Sequence, residues 1–260
     1  MNKEIIKKIR EKREFSQLPE KDIEMAFENF AKRQVSEDEK IGLTKELLRK
    51  NFSAFVSPKL LSLKNKEPEW ILRKHISTRE RLPFYKEIYK RIFSKYKKAS
   101  VLDLGSGING FSFNFFKEVG VDVKYTAIES VGQLVDLMNF YFKKNKLNGN
   151  AIVLSLFEKN KIKKIIQDEK KPRIIFLFKV IDALENIKRD YSKELISELM
   201  PLVDNFVLSF PTRSLGNRKT FGAKRTWILD FVKNNFEILD NFEIGGENYL
   251  VFKKDTKKFK

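Results

Sequence analysis

Three glycines and an acid carry the most chemistry in this chain. In "ASVLDLGSGINGFSF", Ala99 to Phe113, a buried-strand pattern runs into Gly105, Gly107 and Gly110, which satisfy GxGxxG, and then into a helix pattern. Such a strand–turn–helix builds the first crevice of a doubly wound sheet and holds a nucleotide-like ligand. Glu129 ends the next apolar run, at the distance downstream where an acid takes a ribose hydroxyl pair. That acid serves NAD and S-adenosylmethionine equally well. Asp103, two positions before the first glycine, decides between them. A pyrophosphate near a helix N-terminus would be repelled by this carboxylate, because the site itself favours anions. S-adenosylmethionine has no phosphate and carries a sulfonium and an ammonium group, so it tolerates or benefits from the acid. The competing reading leaves Asp103 capping local backbone at the strand end.

The substrate is narrowed by what is missing. The chain has no cysteine, which removes disulfides, cysteine-based metal sites and any chemistry that needs a thiol adduct. No Asn/Asp-Pro-Pro-aromatic segment follows the fourth strand pattern; "FKVIDALE" stands there instead. A ring nitrogen with its own exposed lone pair, such as a purine N7, remains the easiest acceptor, because positioning supplies most of the rate and no general base is needed. After the fifth strand pattern comes "SFPTRSLGNRKTFGAKRTW", in which Arg213, Arg218, Lys219, Lys224 and Arg225 occur with no acid among them. A basic, mobile loop at the crevice rim is expected, gripping phosphates. Phe221 and Trp227 are candidates to stack on a base, although a core position suits Trp227 equally well.

These residues need a scaffold, and the chain changes texture at Ser100. Before it, helical patterns dominate: "PEKDIEMAFENFAKR", "SEDEKIGLTKELLRKNFSAF" with Ser36 and Glu39 at capping-box spacing, and "STRERLPFYKEIYKRIFSKY" with Ser77 and Glu80 at the same spacing. After it, strand patterns at 101–104, 125–128, 151–154, 174–178 and 206–209 alternate with helical ones at 111–119, 131–144, 159–168 and 191–200. "FEILDNFEIGGENYLVFKK" reads as a closing antiparallel hairpin around Gly245 and Gly246. The alternation predicts an α/β fold with right-handed crossovers and a largely parallel, Rossmann-like sheet. Lys plus Arg number 53 against 35 Asp plus Glu, a net charge of +18 that is denser in the first hundred residues. A polyanionic partner, nucleic acid before membrane, follows from that balance. With no signal-like start and no long uncharged run, a soluble, cytoplasmic protein is expected, and nothing demands more than a monomer.

"HISTRERLP", "VLDLGSG" and "SFPTRSLGNRK" occur in this order and at similar spacing in the aminoglycoside-resistance 16S rRNA (guanine-N7) methyltransferases of the Arm/Rmt type. The chain resembles that family from about Phe55 to the C-terminus, as a distant homologue. The resemblance implies a class I S-adenosylmethionine-dependent methyltransferase domain over 75–260 and a helical domain over 1–74 that docks on the small ribosomal subunit. It implies direct in-line transfer to a guanine N7 in the decoding site of 16S rRNA, with the target base turned out of its stack.

By the same resemblance, Arg79 pairs with the methionine carboxylate of the cofactor, with Thr78 beside it. Gly105, Ser106 and Gly107 line its methionine and ribose, Glu129 holds the ribose, and Arg213 with the basic residues after it grips RNA. His75 and Arg81 share the first motif, His75 fitting a buried structural role equally well. Lys179 and Glu185 fit the family pattern, whereas Asp182 and Asn186 are less expected. Where the family commonly offers an Asp to the adenine amino group, this chain has Ser155 and then Leu156. That departure leaves open a non-catalytic rRNA-binding or ribosome-assembly factor on the same fold, a different target nucleotide, and a housekeeping role in place of resistance. An NAD(P)-dependent oxidoreductase rests only on the literal glycine pattern.

Overall fold

Every apolar run from Lys98 onward becomes a strand of one sheet. The computed structural model describes residues 2–52, 66–212 and 225–255. Strands β1 (Lys98–Leu104), β2 (Asp122–Glu129), β3 (Gly149–Val153), β4 (Arg173–Phe178) and β5 (Asn205–Pro211) pair in parallel, and β6 (Phe236–Ile244) and β7 (Glu247–Lys254) form the antiparallel hairpin. The order is β3-β2-β1-β4-β5-β7-β6, with β7 antiparallel to β5. Gly245 and Gly246 both take positive φ at the hairpin, where side-chain-bearing residues would be strained. Strand order reverses between β1 and β4, so the crevice of a doubly wound sheet opens beyond their carboxyl ends.

Both faces of the sheet are covered, as the uninterrupted apolar runs require. On β4, Ile174, Phe176 and Phe178 enter one core while Ile175 and Leu177 enter the other. Helices α7 (Phe113–Glu118), α8 (Gly132–Lys144), α9 (Lys159–Asp168) and α11 (Tyr191–Leu199) occupy the expected crossovers. Two further helices escape the periodicity reading, α10 (Ile181–Ile187) and α12 (Thr226–Asn235), the second beginning directly after the basic segment.

The N-terminal region is helical, with α1 (Lys3–Arg10), α2 (Glu20–Ala31) and α3 (Glu37–Phe52), followed by α4 (Pro68–Leu72), α5 (Ile76–Arg81) and α6 (Tyr85–Ile92). Ser36 caps α3 as its spacing predicts, accepting the Glu39 amide at 3.2 Å. The second capping box does not form. Residue 75 takes the N-cap place of α5 without a side-chain cap, and the Ser77 hydroxyl instead lies 2.9 Å from His75 Nδ1. Pro83, which lacks an amide hydrogen, separates α5 from α6 through a short 3₁₀ turn. Ile5, Ile9, Phe15 and Ile23 belong to the same apolar cluster as Val101, Phe176 and Val207, so the first helices and the sheet share a core. Asn29 donates to the Ile187 carbonyl at 2.9 Å, and Asn186 donates to Asn51 Oδ1 at 3.1 Å, tying α2 and α3 to α10.

Candidate cofactor cavity

A cavity of about 310 Å³ lies at the carboxyl ends of β1, β2 and β4, walled on one side by α2 and α3. Its floor is the glycine turn. The amides of Gly105 and Ser106 both donate to the Ile128 carbonyl, at 2.8 and 3.2 Å, and this folds the chain back against β2. Gly105 and Gly107 take φ of +68° and +56°, and a Cβ on Gly105 would come within 2.8 Å of Val180. Only glycine leaves this cradle open.

Two carboxylates rise from the strand ends. Asp103 is buried, and its Oδ2 accepts from Asn109 Nδ2 at 2.6 Å and from the Tyr125 hydroxyl at 2.5 Å. Neither donor is backbone, so the strand-end capping alternative does not describe it. Burial pushes its carboxyl above the ordinary aspartate range, and those hydrogen bonds and the Arg81 charge pull it partly back. Glu129 accepts the Gly107 amide at 2.7 Å and the Val131 amide at 2.9 Å. Burial pushes Glu129 up as well, against its backbone donors. Both acids face the cavity, where a ligand cation and ribose hydroxyls would relieve that desolvation.

A buried charge network joins Asp103 through Asn109. Arg81 meets Glu247 through two hydrogen bonds of 3.0 and 3.3 Å, both side chains 2% exposed, and reaches Asn109 Oδ1 at 3.1 Å. Lys179 leaves β4 at φ +57° and contacts Glu80 at 2.8 Å and Glu247 at 3.2 Å. Ser209 also donates to Glu247. His75, the chain's one histidine, is buried against Gly107. Burial, Arg81 and Lys179 push it down to about 3, so it stays neutral.

The predicted site residues divide clearly. Asp103, Gly105, Ser106, Gly107, Glu129, Leu156 and Lys179 line the cavity. Ser155 is fully buried behind Leu156, its hydroxyl donating to Asp22 at 2.7 Å. Thr78 is not at the surface of the cavity, because its hydroxyl donates to the Leu72 and His75 carbonyls. Arg79 is exposed and lies outside the lining, whereas Arg81, two residues on, is inside it. Arg225 is also not a free RNA contact: its guanidinium forks onto Asp182 at 2.6 and 3.1 Å and donates to the Pro211 carbonyl at 2.8 Å. Trp227 packs on the core of α12's side of the sheet with Lys193 over its ring, which favours the packing alternative. Glu185 accepts the Asp190 and Ser192 amides, capping the start of α11. Arg213, Arg218, Lys219, Phe221 and Lys224 lie outside the described residues. On the two sides of that segment, Pro211 lines the cavity and Arg225 is bound to Asp182, which also lines it.

Sequence reasoning missed the contribution of the N-terminal helices. Asp22, Lys50, Asn51 and Phe52 line the cavity with Asn186. No local pattern marks them, since Asp22 reads as an ordinary acid in the first turn of a helix.

A family model described as ribosomal RNA methyltransferase (FmrO) matches residues 44–235. The 16S rRNA (guanine(1405)-N(7))-methyltransferase of Proteus mirabilis is 24% identical over 187 residues, covering 70% of this chain. Its Micromonospora rosea counterpart is 26% identical over 185 residues, covering 69%. The match spans 63% of the length of each relative. Among solved structures, 16S rRNA methylase RmtB superposes with a TM-score of 0.78 at 20% identity, covering 98% of this chain and 99% of that one. The methyltransferase RmtF, solved with S-adenosyl-L-homocysteine, gives 0.79 at 20% identity, covering 98% and 100%. These superpositions show the class I methyltransferase fold, and the family match over most of the chain shows that it belongs to the FmrO family of ribosomal RNA methyltransferases.

Proposed function

We propose that this protein methylates a guanine N7 of small-subunit 16S rRNA, in the decoding site, with S-adenosylmethionine as cofactor. The observation that carries the cofactor half is the pair of buried carboxylates, Asp103 and Glu129, at the ends of β1 and β2 beside an open glycine cradle. Glu129 suits the ribose of either cofactor, but a dinucleotide pyrophosphate over the glycine turn would meet the Asp103 carboxylate with repulsion, and a cationic nucleoside is attracted. This weighs against the oxidoreductase reading.

Bound in this cavity, S-adenosylmethionine supplies an electrophilic methyl group. The chain's own residues then have binding and orientation to do. Glu129 is placed for the ribose hydroxyls, and Asp103 for cationic groups over the glycine turn. The Arg81–Glu247–Lys179 network fixes the cavity wall beside Asp103. No side chain has to take a proton, because guanine N7 presents its lone pair directly. The neutral, weakly basic His75 is consistent with that chemistry. RNA affinity is assigned to the +18 net charge and to the basic residues between Thr212 and Arg225, whose flanks meet the cavity rim.

The test is transfer of labelled methyl from S-adenosylmethionine to purified small subunits, naked rRNA and tRNA, followed by borohydride–aniline cleavage. Scission at one decoding-site guanine is expected. Label without scission moves the target atom, and no label in any RNA favours the non-catalytic factor. Arg213→Ala is expected to lose transfer while keeping cofactor affinity within a factor of two.

A further inference from the structure

The least explained group in the molecule is the carboxyl of Asp22. It comes from the first turn of α2, in the N-terminal helices, yet it is 1% exposed and lines the cavity. Its Oδ1 accepts from Ser155, the residue that stands past the end of β3. Its Oδ2 is buried and makes no hydrogen bond of ordinary geometry among the described residues, the Ser130 hydroxyl lying near the carboxyl without closing one. Burial pushes the carboxyl up to about 7; the hydroxyls of Ser155 and, more loosely, Ser130 pull it back, and the nearby Glu129 charge pushes it further up. A buried carboxylate oxygen without a donor is costly, and such atoms are normally satisfied by a bound group.

What would satisfy it follows from its neighbours. Ser130 follows Glu129 in the chain, so Asp22 stands next to the acid placed for the ribose. Across the carboxyl edge the order is Asp103 on β1, Glu129 on β2, then Ser155 with Asp22 after β3. A nucleoside whose ribose meets Glu129 therefore extends its base toward Asp22. Leu134, Leu156 and Phe157 supply apolar walls there, as a flat heteroaromatic ring requires, and Ser155 itself is fully buried outside the cavity lining. It donates to Asp22 and accepts the Phe157 amide at 3.1 Å.

We propose that Asp22 accepts a hydrogen bond from the exocyclic amino group of the cofactor's adenine, so that an N-terminal helix supplies the base-selecting residue and Ser155 positions it. This rests on the reading of S-adenosylmethionine as cofactor. Ser155 is then a support that orients the acceptor and no longer a sign of a decayed site.

The experiment is calorimetric titration of the full chain with S-adenosylhomocysteine and with S-inosylhomocysteine, in which a carbonyl replaces the amino group. At pH 8.5, above the value to which burial pushes Asp22, the wild type should prefer the adenine ligand about 10- to 100-fold, the range for a hydrogen bond to a charged group. Asp22→Asn keeps the shape and can still accept from Ser155. It presents an amide that donates to the inosine carbonyl, so the preference should shrink to a few-fold or invert. Ser155→Ala, which leaves the charge but removes its support, should narrow the preference by a smaller factor. Equal weakening of both ligands by Asp22→Asn, or no change in their ratio, would reduce Asp22 to a structural role and overturn the assignment while the cofactor reading stood. A wild-type chain that bound neither ligand would overturn the cofactor reading and the assignment with it.

Discussion

Replacing Arg81 by Met should unsettle the wall of the cavity by a measurable amount. Arg81 and Glu247 are each 2% exposed, and the arginine also reaches Asn109 and the Tyr249 hydroxyl. Removing one partner of a buried pair leaves the other desolvated, at a cost of roughly 3–5 kcal/mol. Glu247 keeps Lys179 at 3.2 Å and the Ser209 hydroxyl, so the lower end applies, about 3 kcal/mol. For a chain of this size that is a fall of roughly 6–12 °C in Tm. The assay is thermal and denaturant unfolding without ligand at pH 7, on Arg81→Met, Glu247→Gln and the double variant. The double variant removes both charges and should recover more than half of the single-variant loss.

The pH dependence has a definite sign. Burial alone would raise the Glu247 carboxyl, but Arg81 and Lys179 outweigh it and hold the group below its ordinary value of 4.5. The pair's contribution is therefore complete above that pH and lost as pH falls through the depressed value. In Arg81→Met the loss should begin at higher pH. A single variant within about 1 kcal/mol of wild type, or a double variant equal to the sum of the singles, would refute the coupling on which this reasoning depends.

Three further outcomes are expected. Glu129→Ala should weaken S-adenosylhomocysteine binding about 10- to 100-fold by calorimetry, since a charged acceptor is lost; a change under threefold would remove Glu129 from the site. Gly105→Ala should cost roughly 1–2 kcal/mol in denaturant unfolding, because φ is +68° and the new methyl meets Val180, and it should weaken cofactor binding with it; wild-type stability would show that the turn relaxes. Asp22→Asn should be more stable than wild type by about 2–4 kcal/mol at pH 8, the gap narrowing as pH falls toward 4. The sign follows from a carboxyl at about 7 when folded against an ordinary 3.8, which makes folding take up a proton between those values; a gap independent of pH would refute it.

What the sequence made legible was the part of the site whose geometry is local. A strand ending in Asp103, a turn that needs positive φ at Gly105 and Gly107, and a second strand ending in Glu129 all follow from pattern and stereochemistry, and the cavity contains all of them. The first motif shows the limit. Arg79 and Arg81 sit two positions apart on α5, about 200° around a helix, so one faces out when the other faces in. Spacing alone does not say which, and the structure buries Arg81. Thr78 has a helix partner within a few residues that composition does not reveal. Arg225 belongs to a run that reads as solvated charge, yet Asp182 and the Pro211 carbonyl draw it inward. Asp22 stands 133 residues from Ser155 in the chain, a contact that only tertiary folding creates.

That last contact bears on how cofactor and RNA would be read together. The helices that the family resemblance implies for docking on the ribosomal subunit include those that wall the cavity. Asp22 of α2 holds Ser155, Asn51 of α3 accepts from Asn186, and Lys50 and Phe52 complete the lining. The same helices share an apolar core with the sheet, so they cannot shift on RNA without moving cavity side chains. A ligand held by Asp22 and an RNA held by α2 and α3 would therefore act on one set of contacts. By linkage, whatever factor one contributes to the affinity of the other must be returned equally in the opposite direction. The sulfonium cation adds a second route, since it neutralises carboxylate charge at the mouth through which a polyanion would approach. The charge effect favours tighter RNA binding by the cofactor-loaded chain, an expectation that titration of 16S rRNA with and without S-adenosylmethionine checks.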